Sequence, residues 1–124
     1  GLGPLLPLFD HLITTLVDDL QARGLLESTL VVAMGEFGRT PKLNTRAARD
    51  HWERCYFSLW AGAGVQGGKV IGASDKLAQD PATNPITPLM AGTTICELAG
   101  LDVQARSEMS VLPDGRVIGE LFHG

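Results

Sequence analysis

The sequence predicts an α/β domain organised around a buried parallel sheet. Three observations predict it. A long amphipathic segment over residues 4–23 is followed by a continuous apolar run, Leu30-Val31-Val32-Ala33-Met34. A short apolar run without alternation, preceded by a helix, suits a strand covered on both faces, the usual state of a parallel strand. The run gives way to Gly35-Glu36-Phe37-Gly38-Arg39-Thr40-Pro41, polar groups gathered at the strand's carboxyl end, where open α/β sheets bind ligands. Glycine contributes 15 of 124 residues, well above the usual share of roughly 7%, which points to many tight loops.

The elements follow in order. In residues 4–23 the apolar positions Leu5, Leu8, Phe9, Leu12, Ile13, Leu16, Val17 and Leu20 recur at helical spacing, with Thr14, Asp18 and Asp19 on the other side. Gly24 is placed to close this helix. After strand 30–34, residues 42–54 carry Lys42, Arg46, Arg49 and Arg54 and few apolar residues, so they read as an exposed loop ending at Asp50-His51-Trp52. Residues 56–61 form a second strand candidate, broken off by Gly62, Gly64, Gly67 and Gly68. A short strand over 69–72 and a loop through Ser74, Asp75, Asp80 and Asn84 come next. Thr87 and Pro88 then supply an N-cap and a first-turn proline for a helix that ends at Gly100, with Leu89, Ile95, Cys96 and Leu98 as its inner face. The turn signal Pro113-Asp114-Gly115 between two short apolar stretches predicts a terminal β-hairpin over 111–122.

Composition bounds the function. Hydrophobic residues make up 44% and charged residues 19%, enough to bury a core and unlike a disordered tail. The net charge of −4 weighs against a nucleic-acid partner, whose footprint is a basic patch. No apolar run approaches the ~20 residues needed to span a bilayer. The 124 residues make one domain or part of one, and the opening Gly1-Leu2-Gly3-Pro4, which lacks both an initiating methionine and the basic segment of a signal peptide, reads as a processed product or an expressed fragment. Cys55 and Cys96 are too far apart in sequence for a local zinc or redox motif; two small buried hydrophobes is the simpler reading, and a disulfide between them stays open.

Two places hold residues that could carry chemistry. Glu36, directly after a buried strand, is placed to bind a metal or act as a base; its alternative is an ion pair with Arg39. His51 could ligate a metal through one ring nitrogen while a neighbour such as Asp50 holds the other; the alternative is a surface Asp50–His51 pair. Lys42, Arg46 and Arg49 could bind an anionic substrate, since the planar guanidinium suits phosphate and sulfate; a solvated basic face is the alternative. Gly62-x-Gly64 with Gly67-Gly68 has the wrong spacing for a dinucleotide fingerprint and reads as turn chemistry.

Four blocks taken together are more specific. Met34-Gly35-Glu36-Phe37-Gly38-Arg39-Thr40-Pro41, Arg49-Asp50-His51-Trp52, Gly67 to Asp75, and Asn84-Pro85-Ile86-Thr87-Pro88, in that order, resemble the domain of unknown function 1501 family of the alkaline-phosphatase-like superfamily, which includes the sulfatases. The resemblance runs from about residue 8 to the end of the chain. It implies the C-terminal portion of a parallel-sheet domain that holds two divalent metals, with the Ser or Thr nucleophile expected outside this chain. By position, Glu36-Phe37-Gly38 stands where superfamily enzymes carry Asp-His-Gly, and His51 where they carry a further ligating histidine. Phe37 departs from that pattern, because a phenyl ring binds no metal.

The resemblance therefore implies a metal-dependent hydrolase of phosphate or sulfate esters. Glu36 and His51 would be ligands of zinc, manganese or calcium, with Asp50 a ligand or the partner of His51, and Arg39 and Arg49 would bind the anion of a small ester substrate. It hints at export to the periplasm. The alternative is a non-catalytic binding or assembly module that keeps the fold with a degenerate metal site. In either case the chain alone is expected to be catalytically inefficient and to expose apolar surface that the missing half would cover, through which the amphipathic first helix could drive homo-oligomerisation.

Overall fold

The computed structural model describes residues 2–123. Helix α1 spans Leu2–Ala22 and a 3-10 turn spans Leu26–Ser28. Strands β1 (Val31–Met34), β2 (Gly38–Arg39), β3 (His51–Trp52), β4 (Ser58–Ala61), β5 (Ala73–Ser74) and β6 (Pro81–Thr83) follow. Helices α2 (Pro88–Leu98) and α3 (Val103–Met109) and a 3-10 turn at Gly119–Leu121 complete the chain. Helices and strands are mixed, so the chain is α/β in the general sense.

The parallel sheet is not borne out. The strands form three separate two-stranded antiparallel pairs, β1–β4, β2–β3 and β5–β6. In the first, Val31 lies opposite Ala61 and Met34 opposite Ser58. The strands near 31–34 and 58–61 stand where the apolar runs put them, but an apolar run fixes burial and not strand direction. The predicted strand 69–72 is irregular, and the pairing shifts to Ala73–Ser74.

The terminal hairpin is also corrected. The turn at Pro113-Asp114-Gly115 exists, closed by Gly115 N–H donating to Leu112 O at 3.2 Å. The segments on either side do not pair with each other. Ile118 N–H donates instead to Thr94 Oγ1 on α2 at 2.9 Å, and Leu121 O accepts from Gln66 N–H at 2.8 Å. Each flanking segment finds its partner elsewhere, so no ladder forms.

The helix ends follow local rules. Gly24 and Gly100 take positive φ just past α1 and α2, the left-handed conformation that a side chain disfavours. Thr87 caps α2 by accepting from Met90 N–H at 3.1 Å. Asp102 caps α3 in the same way, accepting from Ala105 N–H at 2.9 Å. The sequence reading had no helix at 103–109.

Among the described residues the buried apolar cluster is small, Met90, Ile118 and Leu121, with Trp60, Ile71, Ile86 and Phe122 packed against it. The expected inner face of α2 is rotated: Leu89 and Ile95 are exposed, while Met90, Thr93 and Thr94 are buried. The threonines are tolerated because Thr94 Oγ1 donates to Met90 O and accepts from Ile118 N–H, and because Gly115 packs directly on Thr93. Buried Arg106 pairs with Glu97 and donates to Leu101 O at 2.7 Å, tying α3 to α2. Cys55 and Cys96 are both half-buried free thiols, so no disulfide joins them.

Candidate functional site

Strands β2 and β3 form a short ribbon that presents the residues singled out from the sequence. Arg39 lies opposite His51, and Gly38 opposite Trp52. Gly38 makes the close approach possible: a Cβ there would meet Cys55 O at 2.2 Å. The connection between the strands is a self-supporting loop. Thr40 N–H donates to Asp50 O at 3.0 Å, and Asp50 N–H returns to Thr40 Oγ1 at 3.1 Å. Asn44 Oδ1 accepts from Arg46 N–H at 2.9 Å and Ala48 N–H at 3.1 Å, which closes the tip.

On the ribbon, the rings of Phe37 and His51 stack with centroids 3.9 Å apart and planes 28° from parallel. The Arg39 guanidinium sits 5.8 Å from the Phe37 ring centre, and that of Arg54 lies 5.4 Å from the Trp52 ring. Arginine over an aromatic face gains attraction from the ring quadrupole and keeps its edge free to donate. Trp52 anchors the ribbon, donating through Nε1 to Gln79 O at 2.7 Å. Arg54 pairs with Asp80 at 2.5 Å on the same neighbouring loop.

The predicted residues do different work. Arg39 donates to Arg49 O at 3.3 Å and is otherwise exposed. Arg49 is spent on structure, one terminal nitrogen donating to both Thr40 O and Pro41 O, at 2.7 and 2.5 Å. Asp50 accepts from Asn44 Nδ2 at 3.0 Å and so helps to hold the loop. Glu36 is exposed and, among the described residues, forms no ion pair with Arg39. No group of three or more His, Cys, Asp and Glu side chains that could hold a metal ion occurs among the described residues. Catalytic zinc sites take three protein ligands; Glu36 and His51 would supply two donors, so a metal held here would need further ligands from outside the described residues.

The sequence reading missed the groove beside the ribbon. It has a volume of about 790 Å³ and is lined mainly by β4 and the segments 55–57 and 65–86, with Ile13 and Val17 of α1, Val31 of β1 and the cations Arg39 and Lys69 at its wall. Its residues come from seven segments, so no local signal marks it. A second, smaller hollow lies on the ribbon between Phe37, His51, Trp52, Glu53 and Arg54.

A family model described as "Protein of unknown function (DUF1501)" matches residues 1–118. The chain belongs to that family. The match covers the ribbon, its loop, all of the groove's lining but Leu121, and helices α2 and α3. No curated protein and no solved structure matches this DUF1501 chain. Among the described residues, no helix of the DUF1501 chain is long and apolar enough to cross a membrane.

Proposed function

We propose that this chain carries the anion-recognition edge of a phosphate- or sulfate-ester hydrolase of the alkaline-phosphatase-like superfamily, without forming a complete catalytic site on its own. The observation that carries the reading is electrostatic. Residues 36–54 hold five Lys and Arg against three acids, a local charge of +2 in a chain of net −4. Within that segment Arg39 is held at the Phe37–His51 stack and at the wall of the apolar groove. An apolar groove with a few convergent polar groups is the general form of a small-molecule site. The ester's anionic head would meet Arg39, and its alcohol part the groove.

A divalent zinc, manganese or calcium ion would polarise such an ester and activate its nucleophile. Glu36 and His51 would supply an oxygen and a nitrogen donor to it, with the remaining ligands and the nucleophile from outside these residues. Arg39 orients the anion, and the loop bonds of Arg49 and Asp50 hold the ribbon that carries Arg39 and His51. A second reading, a non-catalytic binding module, is favoured by the commitment of Arg49 and Asp50 to loop structure. Export to the periplasm belongs to the same proposal and rests on the superfamily resemblance.

Titration of the chain with inorganic phosphate and sulfate, followed through backbone amide shifts, tests the shared part of both readings. Saturable shifts confined to residues 36–54 and lost in Arg39→Ala are expected. No saturable shift, or equal shifts in Arg39→Ala, overturns it. Hydrolysis of an aryl phosphate or sulfate by the 124 residues alone, abolished in His51→Ala, would overturn the incomplete-site reading.

A further inference from the structure

The β2–β3 ribbon does not hold its own position. Each strand is two residues long, and an isolated two-stranded ribbon is marginally stable in water. The loop bonds made by Arg39, Asn44, Arg49 and Asp50 all close within residues 36–54. Among the described residues, two side-chain hydrogen bonds leave that segment. Trp52 Nε1 donates to Gln79 O at 2.7 Å, and Arg54 donates to Asp80 at 2.5 Å. Both end on the 75–80 loop. The Arg54–Asp80 pair is solvent-exposed, and such pairs contribute little and are screened by salt. The part-buried bond of Trp52 is the stronger tie.

The acceptor of that bond is placed by Asp75. Asp75 Oδ1 accepts from Leu77 N–H at 3.1 Å and from Gln79 N–H at 2.8 Å. Its backbone closes the same loop, N–H donating to Asp80 O at 2.8 Å and O accepting from Ala78 N–H at 3.0 Å. An aspartate that accepts from backbone N–H groups a few residues on gives the chain an alternative to regular structure and shapes a turn. This turn needs the help. Ala78 has φ of 55°, the left-handed region that a side chain disfavours. Asp75 therefore holds Gln79 by its N–H, and Gln79 holds Trp52 by its carbonyl. Trp52 adjoins His51 on β3, and His51 lies opposite Arg39. The placement of Arg39 is in this way set at the 75–80 loop.

We propose that Asp75 is a positioning residue for anion binding at Arg39, acting through Gln79 and Trp52. The assignment rests on the anion-recognition reading of Arg39. It carries a sign that charge alone would reverse. Removing an acid from a chain of net −4 favours an anionic ligand by simple attraction. Freeing the ribbon does the opposite. If only about one molecule in ten holds it in place, the apparent dissociation constant rises about tenfold.

Sulfate titrations of the chain and three variants test this, read by the amide shifts of residues 36–54 and by the Trp52 indole N–H resonance. Asp75→Ala should shift that resonance, speed its exchange with solvent and weaken sulfate binding about tenfold, with the α2 amides unchanged. Asp75→Asn loses the same charge but keeps the Oδ1 acceptor, and should restore both the indole signal and the affinity. Trp52→Phe removes the donor of the tie without touching the loop, and should weaken sulfate binding as much as Asp75→Ala. An unmoved indole resonance in Asp75→Ala, a sulfate affinity there equal to or above that of the unsubstituted chain, or an Asp75→Asn variant as weak as Asp75→Ala would overturn the assignment. Loss of the α2 amide pattern in Asp75→Ala would make Asp75 a residue of the whole fold and overturn it too. Absence of saturable sulfate binding in the unsubstituted chain would overturn the anion-recognition reading itself, and this assignment with it. Saturable binding that Asp75→Ala leaves unchanged would overturn the assignment alone.

Discussion

Thr93 and Thr94 are adjacent, both 0% exposed, and should respond in opposite directions to the same substitution. Thr94 Oγ1 accepts from Ile118 N–H at 2.9 Å and donates to Met90 O at 2.8 Å. Thr94→Val keeps the shape but leaves a buried backbone N–H without an acceptor, at a cost of ~1–3 kcal/mol. Thr93 Oγ1 is buried with no hydrogen-bond partner. Thr93→Val removes an unsatisfied hydroxyl, which alone would stabilise by ~1–3 kcal/mol. The larger methyl that replaces the hydroxyl faces Gly115, where even a Cβ would come within 1.8 Å of that oxygen, so a net gain of about 1 kcal/mol is the expected upper end. Helix propensity differs little between Thr and Val and does not decide the comparison. Urea unfolding followed by Trp60 emission in a Trp52→Phe background measures both, because Trp60 packs against the buried cluster. A gap of about 2 kcal/mol corresponds to roughly thirtyfold in the folding equilibrium constant. If Thr93→Val destabilises as much as Thr94→Val, the assignment of the two hydroxyls is wrong.

Three more perturbations have defined outcomes. Gly115→Ala places a Cβ 1.8 Å from Thr93 Oγ1 and should cost about 1–3 kcal/mol by overpacking in the same unfolding assay; pairing it with Thr93→Ala should recover part of the loss. Glu97→Gln leaves the buried Arg106 charge without its carboxylate and should cost roughly 3 kcal/mol, whereas Arg106→Met removes the buried charge itself and should cost less; thermal melts that rank the two the other way would contradict the burial of Arg106. Gly38→Ala drives a Cβ into Cys55 O, 2.2 Å away, and should abolish the β2–β3 amide signature and phosphate shifts while leaving the α2 amide spectrum intact.

How much of this was legible in the sequence depended on whether a signal was local. The long helix, the apolar strands near 31–34 and 58–61, the Thr87-Pro88 helix start and the glycines at 24 and 100 all follow from spacing or from single-residue backbone preference. Strand direction was not legible, since Val31-Val32-Ala33-Met34 reads the same whichever way its neighbour runs. The buried face of α2 was misread because Thr93 and Thr94 look polar until Ile118 N–H and Gly115, distant in sequence, arrive to meet them. Helix α3 had a signal, Asp102 as its cap, but Val103–Met109 is too short for periodicity to show. The site residues were found as a neighbourhood. Asp50 and Arg49 turned out to hold the loop, and the stacking of His51 on Phe37 needed the ribbon register that only the fold supplies.

The placement of the buried cluster has a consequence for cooperativity. Met90, Ile118 and Leu121 lie around α2 and the last 3-10 turn. Trp52 joins the β2–β3 ribbon to the 75–80 loop by its bond to Gln79 O, with the exposed Arg54–Asp80 pair beside it. Elements with little buried apolar contact open at lower free energy than the core. The ribbon is thus expected to open as a separate unit, its amides exchanging with solvent at denaturant concentrations where those of α2 stay protected. Trp52 sits in the early-opening unit and Trp60 beside the late one, so the two indoles give the chain a built-in readout of the order in which it comes apart.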